Sequence, residues 1–299
     1  MPSTALDRLR LTAALALVLA AAPLTLARAA HALGAALAHF DHHAAHRDFY
    51  WDLANARAVI ASHRGSLRDA DLGATIDRLV ARADRCTIPL LATLPRAVVH
   101  GDLNDFNVLV GDGDDLETRD QRVTGVVDFG DMVYSYRVAD LAIATAYAML
   151  DTADPLSVAA HVTHGFSEHV ALEEGELSAL FGLAVLRLCA SACIAAVQSG
   201  HRPDNTYLDV SQASIRRTLP ELVTIPFALA EATLRAAAGL VPSLAAQRVG
   251  AFLRRRERFE PVIGIDLARE PSAVLDLSVS SPMLEGDVRE FGDAVIKNL

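Results

Sequence analysis

The sequence predicts an α+β chain, mostly helical, with a small β region near its middle. Three observations carry that reading. The 299 residues are 52% hydrophobic with only 17 Gly and 12 Pro, so the chain can bury a sizeable core and is neither disordered nor collagen-like. Apolar residues recur at three- and four-residue spacing before about residue 90 and again from Arg137 to about Phe252. Between these stretches lie short β-rich runs separated by acidic, glycine-containing loops.

Taken in order, residues 11–27 are uncharged, follow Arg8 and Arg10, and precede Ala-x-Ala patterns at Ala27 and Ala30. That arrangement resembles a secretory signal, but an Ala-rich packing helix reads equally from it. A 17-residue stretch interrupted by Pro23 argues against a membrane span. From Ala29, Leu33, Ala36, Leu37 and Phe40 predict an amphipathic helix, and further helices are expected over Phe49–Ile60 and Asp71–Ala83. Thr87–Pro95, with two prolines, reads as a loop. The run AVVH from Ala97 reads as a strand, followed by the loop GDLNDFN, the strand VLV and the strand RVTGVV, the last two joined as a hairpin through Gly111–Asp115. That acidic turn lacks the ligand pattern of a calcium loop. Leu141–Leu150, Val158–Val170, Leu177–Val197, Val210–Leu222 and Pro226–Leu240 are the later helices. The segment after the Arg254–Arg258 cluster reads as extended. The expected organisation is an apolar N-terminal segment over 1–28, a main domain over 29–252, and a tail or linker over 253–299.

The formal net charge of -10 argues against a nucleic-acid partner. Three cysteines without a CxxC spacing argue against a disulfide framework, and Cys189 and Cys193 at i,i+4 read as core residues of one helix face. His42 and His46 share the same spacing and could chelate zinc from a helix, but no nearby Glu or Cys completes a ligand set, so surface or core histidines are the expectation.

Two segments carry chemistry: His100-Gly101-Asp102-Leu103-Asn104-Asp105-Phe106-Asn107 and Asp128-Phe129-Gly130-Asp131. Each follows a β run, which would place its acidic group at a strand end. Phosphoryl transfer from Mg-ATP needs one carboxylate to accept or orient the proton of the attacking hydroxyl, and hard oxygen ligands to hold the metal on the phosphates. Asp102 suits the first role; Asn107 and Asp128 suit the second.

The order H-G-D-x-x-x-x-N, then D-F-G 21 residues later, resembles the catalytic and metal-binding segments of the aminoglycoside phosphotransferase family. The context WDLANA at 51–56 and DFGDMVYSYRVADLAIATAYAML at 128–150 looks most like the hydroxylysine-kinase-like members, and the resemblance covers about residues 30–250. It implies a kinase-like C-terminal lobe whose small hairpin region carries the catalytic and metal-binding loops. By this similarity Asp102 is the catalytic base, and Asn107 and Asp128 are the Mg²⁺ ligands. His100, Gly101 and Asn104 belong to the cofactor side of the loop, His100 and Gly101 by shaping it, and Asp140 tethers the loop. The implied activity is ATP-dependent phosphorylation of a hydroxyl on a small amine or amino alcohol, such as hydroxylysine or an aminoglycoside, in the cytoplasm.

The chain departs from the family in one respect. Its only lysine is Lys297, and upstream of His100 it holds three widely spaced glycines, Gly34, Gly65 and Gly73. A glycine-rich phosphate cover and a strand lysine therefore have no counterpart here. The expectation is a missing N-terminal lobe, with a non-catalytic remnant or a half-kinase completed by a separate chain as the alternative function. The stretch AVLDLSVSSP resembles the junction in fusions of a phosphotransferase with peptidase-like and aminotransferase domains, which would make those domains partners. A third reading, from residues 8–32 alone, is an exported helical binding protein.

Overall fold

Short acidic residues placed just ahead of apolar runs mark the start of two of the helices. Asp69 accepts the Leu72 N–H at 3.0 Å and Asp154 accepts the Ser157 N–H at 3.0 Å, each satisfying a donor that the first helical turn leaves open. Pro155 follows Asp154 at the first helical position, where its missing N–H costs nothing.

The computed structural model describes residues 25–111, 123–168, 170–201 and 207–242. All but two of these lie in the compact unit that ends at Leu240. Helix α1 covers residues 25–37. It is followed by α2 (Ala56–His63), α3 (Ala70–Cys86), β1 (Arg96–Val99), β2 (Val108–Val110), β3 (Val123–Val126) and β4 (Val133–Tyr136). The remaining helices are α4 (Ala139–Ala148), α5 (Pro155–Ser167), α6 (Glu174–His201), α7 (Tyr207–Thr224) and α8 (Phe227–Ala237). The strands form two separate antiparallel pairs. β1 lies on β4 with Arg96 opposite Tyr136 and Val99 opposite Val133, and β2 lies on β3 with Val108 opposite Val126.

Helix α6 is the axis of the core and packs against α2, α3, α4, α7 and α8. By length and composition it could cross a membrane, but its apolar surface is spent inside the protein. Leu180, Leu183, Ala184, Leu188, Cys189 and Cys193 are fully buried on it. α3 meets it with Leu72, Ile76, Leu79 and Ala83, a spacing that puts them on one face. Truncating Leu79, which is wholly buried, would cost about 2–5 kcal/mol. At Gly182 the approach is closer still, since a Cβ there would sit 1.8 Å from Thr87 Oγ1.

Several expectations need correction. The helix expected over Phe49–Ile60 begins only at Ala56, because Asp52 turns its carboxylate onto the Ala54 N–H and holds Leu53–Asn55 as a 3-10 turn. Ile88–Thr93 is a 3-10 helix rather than a loop, with Pro89 in its first turn. Residues 133–136, between the second motif and the next helix, form β4. His42 and His46 are not on a helix face; α1 ends at 37, His42 Nδ1 caps the 3-10 turn His43–Ala45, and His46 Nε2 pairs with Asp41 at 2.6 Å. The segment from Ala27 to Ala30 lies within α1, with Leu26, Ala27, Ala29 and Ala30 buried. Most of the acidic hairpin turn, the first 24 residues and the tail lie outside the described residues. Among the described residues upstream of β1 there is no strand.

Candidate active site

β1 ends where the first motif loop begins, and the first turn of that loop is held from below. The carboxylate of Asp140, in the first turn of α4, accepts the backbone N–H of His100 with one oxygen and that of Gly101 with the other, both at 2.9 Å. Burial pushes the Asp140 carboxyl up, and the two N–H bonds oppose that shift. Gly101 has φ +84°, and a Cβ on it would lie 2.6 Å from the Asp131 carbonyl oxygen. Only glycine fits there without strain.

His100 is fully buried and joins the two motif loops. Its Nε2 lies 2.9 Å from the Val127 carbonyl, an acceptor only, so this nitrogen carries the proton. Its Nδ1 then accepts the Asp102 N–H at 3.3 Å, and its ring meets Phe129 edge-on. Val127 is gripped from the other side as well, donating its N–H to the Asn107 carbonyl at 2.9 Å. The loops bearing Asp102, Asn107 and Asp128 thus share one hydrogen-bonded frame.

Within that frame Asp102 is the most heavily contacted carboxylate. Its Oδ2 accepts Asn104 Nδ2 at 3.0 Å and Asn107 Nδ2 at 3.2 Å, and its backbone carbonyl accepts Asn107 Nδ2 at 2.8 Å. Its Oδ1 is ion-paired with Arg187 Nη2. The side chain keeps 21% of its surface exposed, enough for a ligand to reach it. The Asn107 amide nitrogen is spent on Asp102, which leaves the amide oxygen as the atom this residue can offer a cation. Asp128 adopts the left-handed conformation at φ 63°, is exposed, and makes no capping bond with its side chain. An amide oxygen and an unspent carboxylate form the hard donor set that Mg²⁺ takes, so these residues fit the ion. Among the described residues no cluster of three or more His, Cys, Asp or Glu side chains provides a rival metal site.

His100, Gly101 and Asn104, expected on the cofactor side of the loop, make their hydrogen bonds within it and to its supports, Val127 and Asp140. Both ring nitrogens of His100 are engaged inside the loop, Gly101 is buried, and Asn104 is spent on Asp102 and on the Phe106 N–H, which its Oδ1 accepts at 2.9 Å. These three build the loop from within. Asp102 and Asn107 are hydrogen-bonded to each other, and the Val127 N–H on the Asn107 carbonyl sets Asp128 one residue further along.

Sequence reasoning missed four contributors. Arg187 comes from the middle of α6, with Nη1 on the Trp51 carbonyl at 3.2 Å and its guanidinium 3.8 Å from the Trp51 ring centroid. Asp131 has its carboxyl pushed up by burial and then by the charge of Asp102. Arg47 donates to the Gly130 carbonyl at 2.7 Å, fastening the segment before Trp51 to the second motif. Asp52 accepts the Ser135 hydroxyl at 2.5 Å and ties the same segment to β4. The one legible signal was an arginine standing alone in the long Ala/Leu run of α6.

The chain matches the phosphotransferase enzyme family over residues 3–177, a span holding both motifs and Asp140 but ending before Arg187. It is 29% identical over 159 residues to the hydroxylysine kinase of Xenopus laevis, covering 52% of this chain and 42% of that protein. It is 30% identical over 166 residues to the hydroxylysine kinase of Mus musculus, covering 54% and 43%. The chain therefore spans less than half the length of these curated relatives. A solved structure described as amicoumacin kinase hAmiN in complex with AMP-PNP, Ca2+ and Ami aligns with 69% of this chain and 61% of that one, at 13% identity and a TM-score of 0.45.

Proposed function

Because the chain belongs to the phosphotransferase enzyme family, we propose that it transfers a phosphoryl group from ATP to the hydroxyl of a small amine or amino alcohol, with 5-hydroxylysine the first acceptor to test. The observation that carries this reading is Asp102, held at Oδ1 and Oδ2 by different partners yet still open to solvent, with the unspent oxygen of Asn107 in the same loop and that of Asp128 in the adjoining one. The hydroxylysine choice rests on the two hydroxylysine kinases that share about 30% identity with the chain.

The chain's own residues divide the task. Asp102 accepts a hydrogen bond from the acceptor hydroxyl, fixes the direction of its lone pair, and takes its proton as the oxygen becomes bonded to phosphorus. Asn107 and Asp128 would hold Mg²⁺ through oxygen, and bound Mg-ATP supplies the phosphoryl group and the charge that neutralises it. His100 and Asp140 keep the base from drifting, since a displacement of about 1 Å can cost on the order of 100-fold in rate. The reading places the chain with the ATP pool of the cytoplasm.

The test is ADP formation from Mg-ATP in the presence of 5-hydroxylysine or a panel of amino alcohols. The expected result is turnover in the native chain, lowered about 100-fold or more by Asp102→Asn and abolished by Asp128→Asn. Turnover untouched by either substitution would overturn the roles assigned here.

A further inference from the structure

α6 is almost uniformly apolar where it crosses the core. Leu183, Ala184, Val185, Leu186, Leu188 and Cys189 are all at most 1% exposed, and Arg187 sits among them at the same 1%. A guanidinium in that position is not what the fold needs. Replacing a buried ion pair with apolar side chains of similar volume is often neutral or stabilising, because desolvating two charges offsets their attraction. Arg187 is nevertheless fixed from three directions: the Trp51 carbonyl at 3.2 Å, the Trp51 ring at 3.8 Å, and the Tyr147 ring at 5.9 Å from α4. Its Nε finds no acceptor, so the group is not placed to satisfy itself. Its remaining end meets Oδ1 of Asp102.

We propose that Arg187 is a positioning residue for the phosphoryl-transfer site, its guanidinium holding Oδ1 of Asp102 so that Oδ2, beside Asn104 and Asn107, is presented in one orientation to the acceptor hydroxyl. The inference rests on the kinase reading above. A carboxylate on a loop rotates about its side-chain bonds; one whose first oxygen is fixed to a guanidinium braced by α4 and the Trp51 segment does not. Asn104 and Asn107 fix the second oxygen from within the loop. Among the described residues Arg187, bound to Oδ1, is the one that ties the carboxylate to the helical core, and it does so from 85 residues away.

The experiment uses the full chain with Arg187→Met, Arg187→Lys, Asp102→Asn and the double variant Asp102→Asn/Arg187→Met. Arg187→Met is expected to lower kcat about 100-fold or more while KM for Mg-ATP stays within about threefold, and Arg187→Lys, which keeps the charge but not the fork, to recover part of the loss. In the Asp102→Asn background, Arg187→Met should change the residual rate less than about threefold, because groups acting as one unit are not additive. An equal loss in both backgrounds, or an unchanged kcat in a folded Arg187→Met chain, overturns the proposal. Should Arg187→Met not fold, an Arg187→Lys chain with native kcat overturns it equally. A native chain that transfers nothing overturns the kinase reading instead. The pairing is then read from thermal unfolding: losses of Tm in the two single variants that do not add in the double variant support it, and additive losses overturn it.

Discussion

Asp140 accepts the backbone N–H of Gly101 at 2.9 Å while its second oxygen takes that of His100, so a side chain of α4 supplies the hydrogen bonds that the end of β1 would otherwise lack. All three groups are buried. Asp140→Ala leaves two interior donors unpaired, each costing about 1–3 kcal/mol. The expected outcome is a clear loss of Tm in a scanning calorimeter together with loss of transfer activity. A chain of native Tm would show that water replaces the carboxylate without cost.

Gly101→Ala should be as damaging for a different reason. At φ +84° a side chain is strained by about 1–2 kcal/mol, and the added carbon would collide with the Asp131 carbonyl. The two motif loops must then separate. Hydrogen exchange at Val127 and His100 in this variant is expected to accelerate, and native exchange rates would contradict the close approach.

Thiol chemistry provides an independent check on the core. Burial pushes the Cys189 thiol up strongly and that of Cys193 up to about 11, while Cys86 is exposed. A disulfide reagent at pH 8 should therefore label one thiol of the three in the native chain and all three in denaturant. Rapid native labelling of Cys189 would mean that α6 is not where the structure puts it.

The pH response of the surface has a definite sign at Asp151. Hydrogen bonds from Arg217 and then Ser214 hold its carboxyl below the usual range. A lowered acid contributes stability above its unfolded value and loses it as the pH falls through the folded value. Asn accepts the left-handed φ of 55° that this position needs, so Asp151→Asn removes the charge and one of the two accepting oxygens without straining the backbone. The Tm difference between native chain and variant should be present at pH 7 and close as the solution is acidified below about pH 4. A difference that grows in acid would reverse the assignment.

Much of this architecture was legible because it is local. The period of Leu72, Ile76, Leu79 and Ala83 and the cap at Asp69 mark α3 without reference to anything else. The motif residues Asp102, Asn107 and Asp128 were legible because their chemistry is tied to their spacing. β4 was not, since VYSY shows no alternation: Val133, Ser135 and Tyr136 are all buried against different neighbours. Arg187 was invisible to spacing for the same physical reason, as its partners Trp51 and Asp102 meet it only through tertiary packing. The part Asn104 plays in stitching the loop to itself was not legible either, since spacing does not show which neighbour a polar side chain bonds.

The central place of α6 also bears on the order in which the protein is made. Synthesis runs from the N-terminus, so α2, α3 and the loop carrying Asp102 leave the ribosome about a hundred residues before α6 is complete. At roughly 5–20 residues per second, that delay lasts about 5–20 s. Throughout it Ile76 and Leu79 have no helix to cover them, and Asp102 has no guanidinium. The nascent chain carries its chemical groups early and its scaffold late, which makes the interval before residue 201 emerges the time when a chaperone matters most to it.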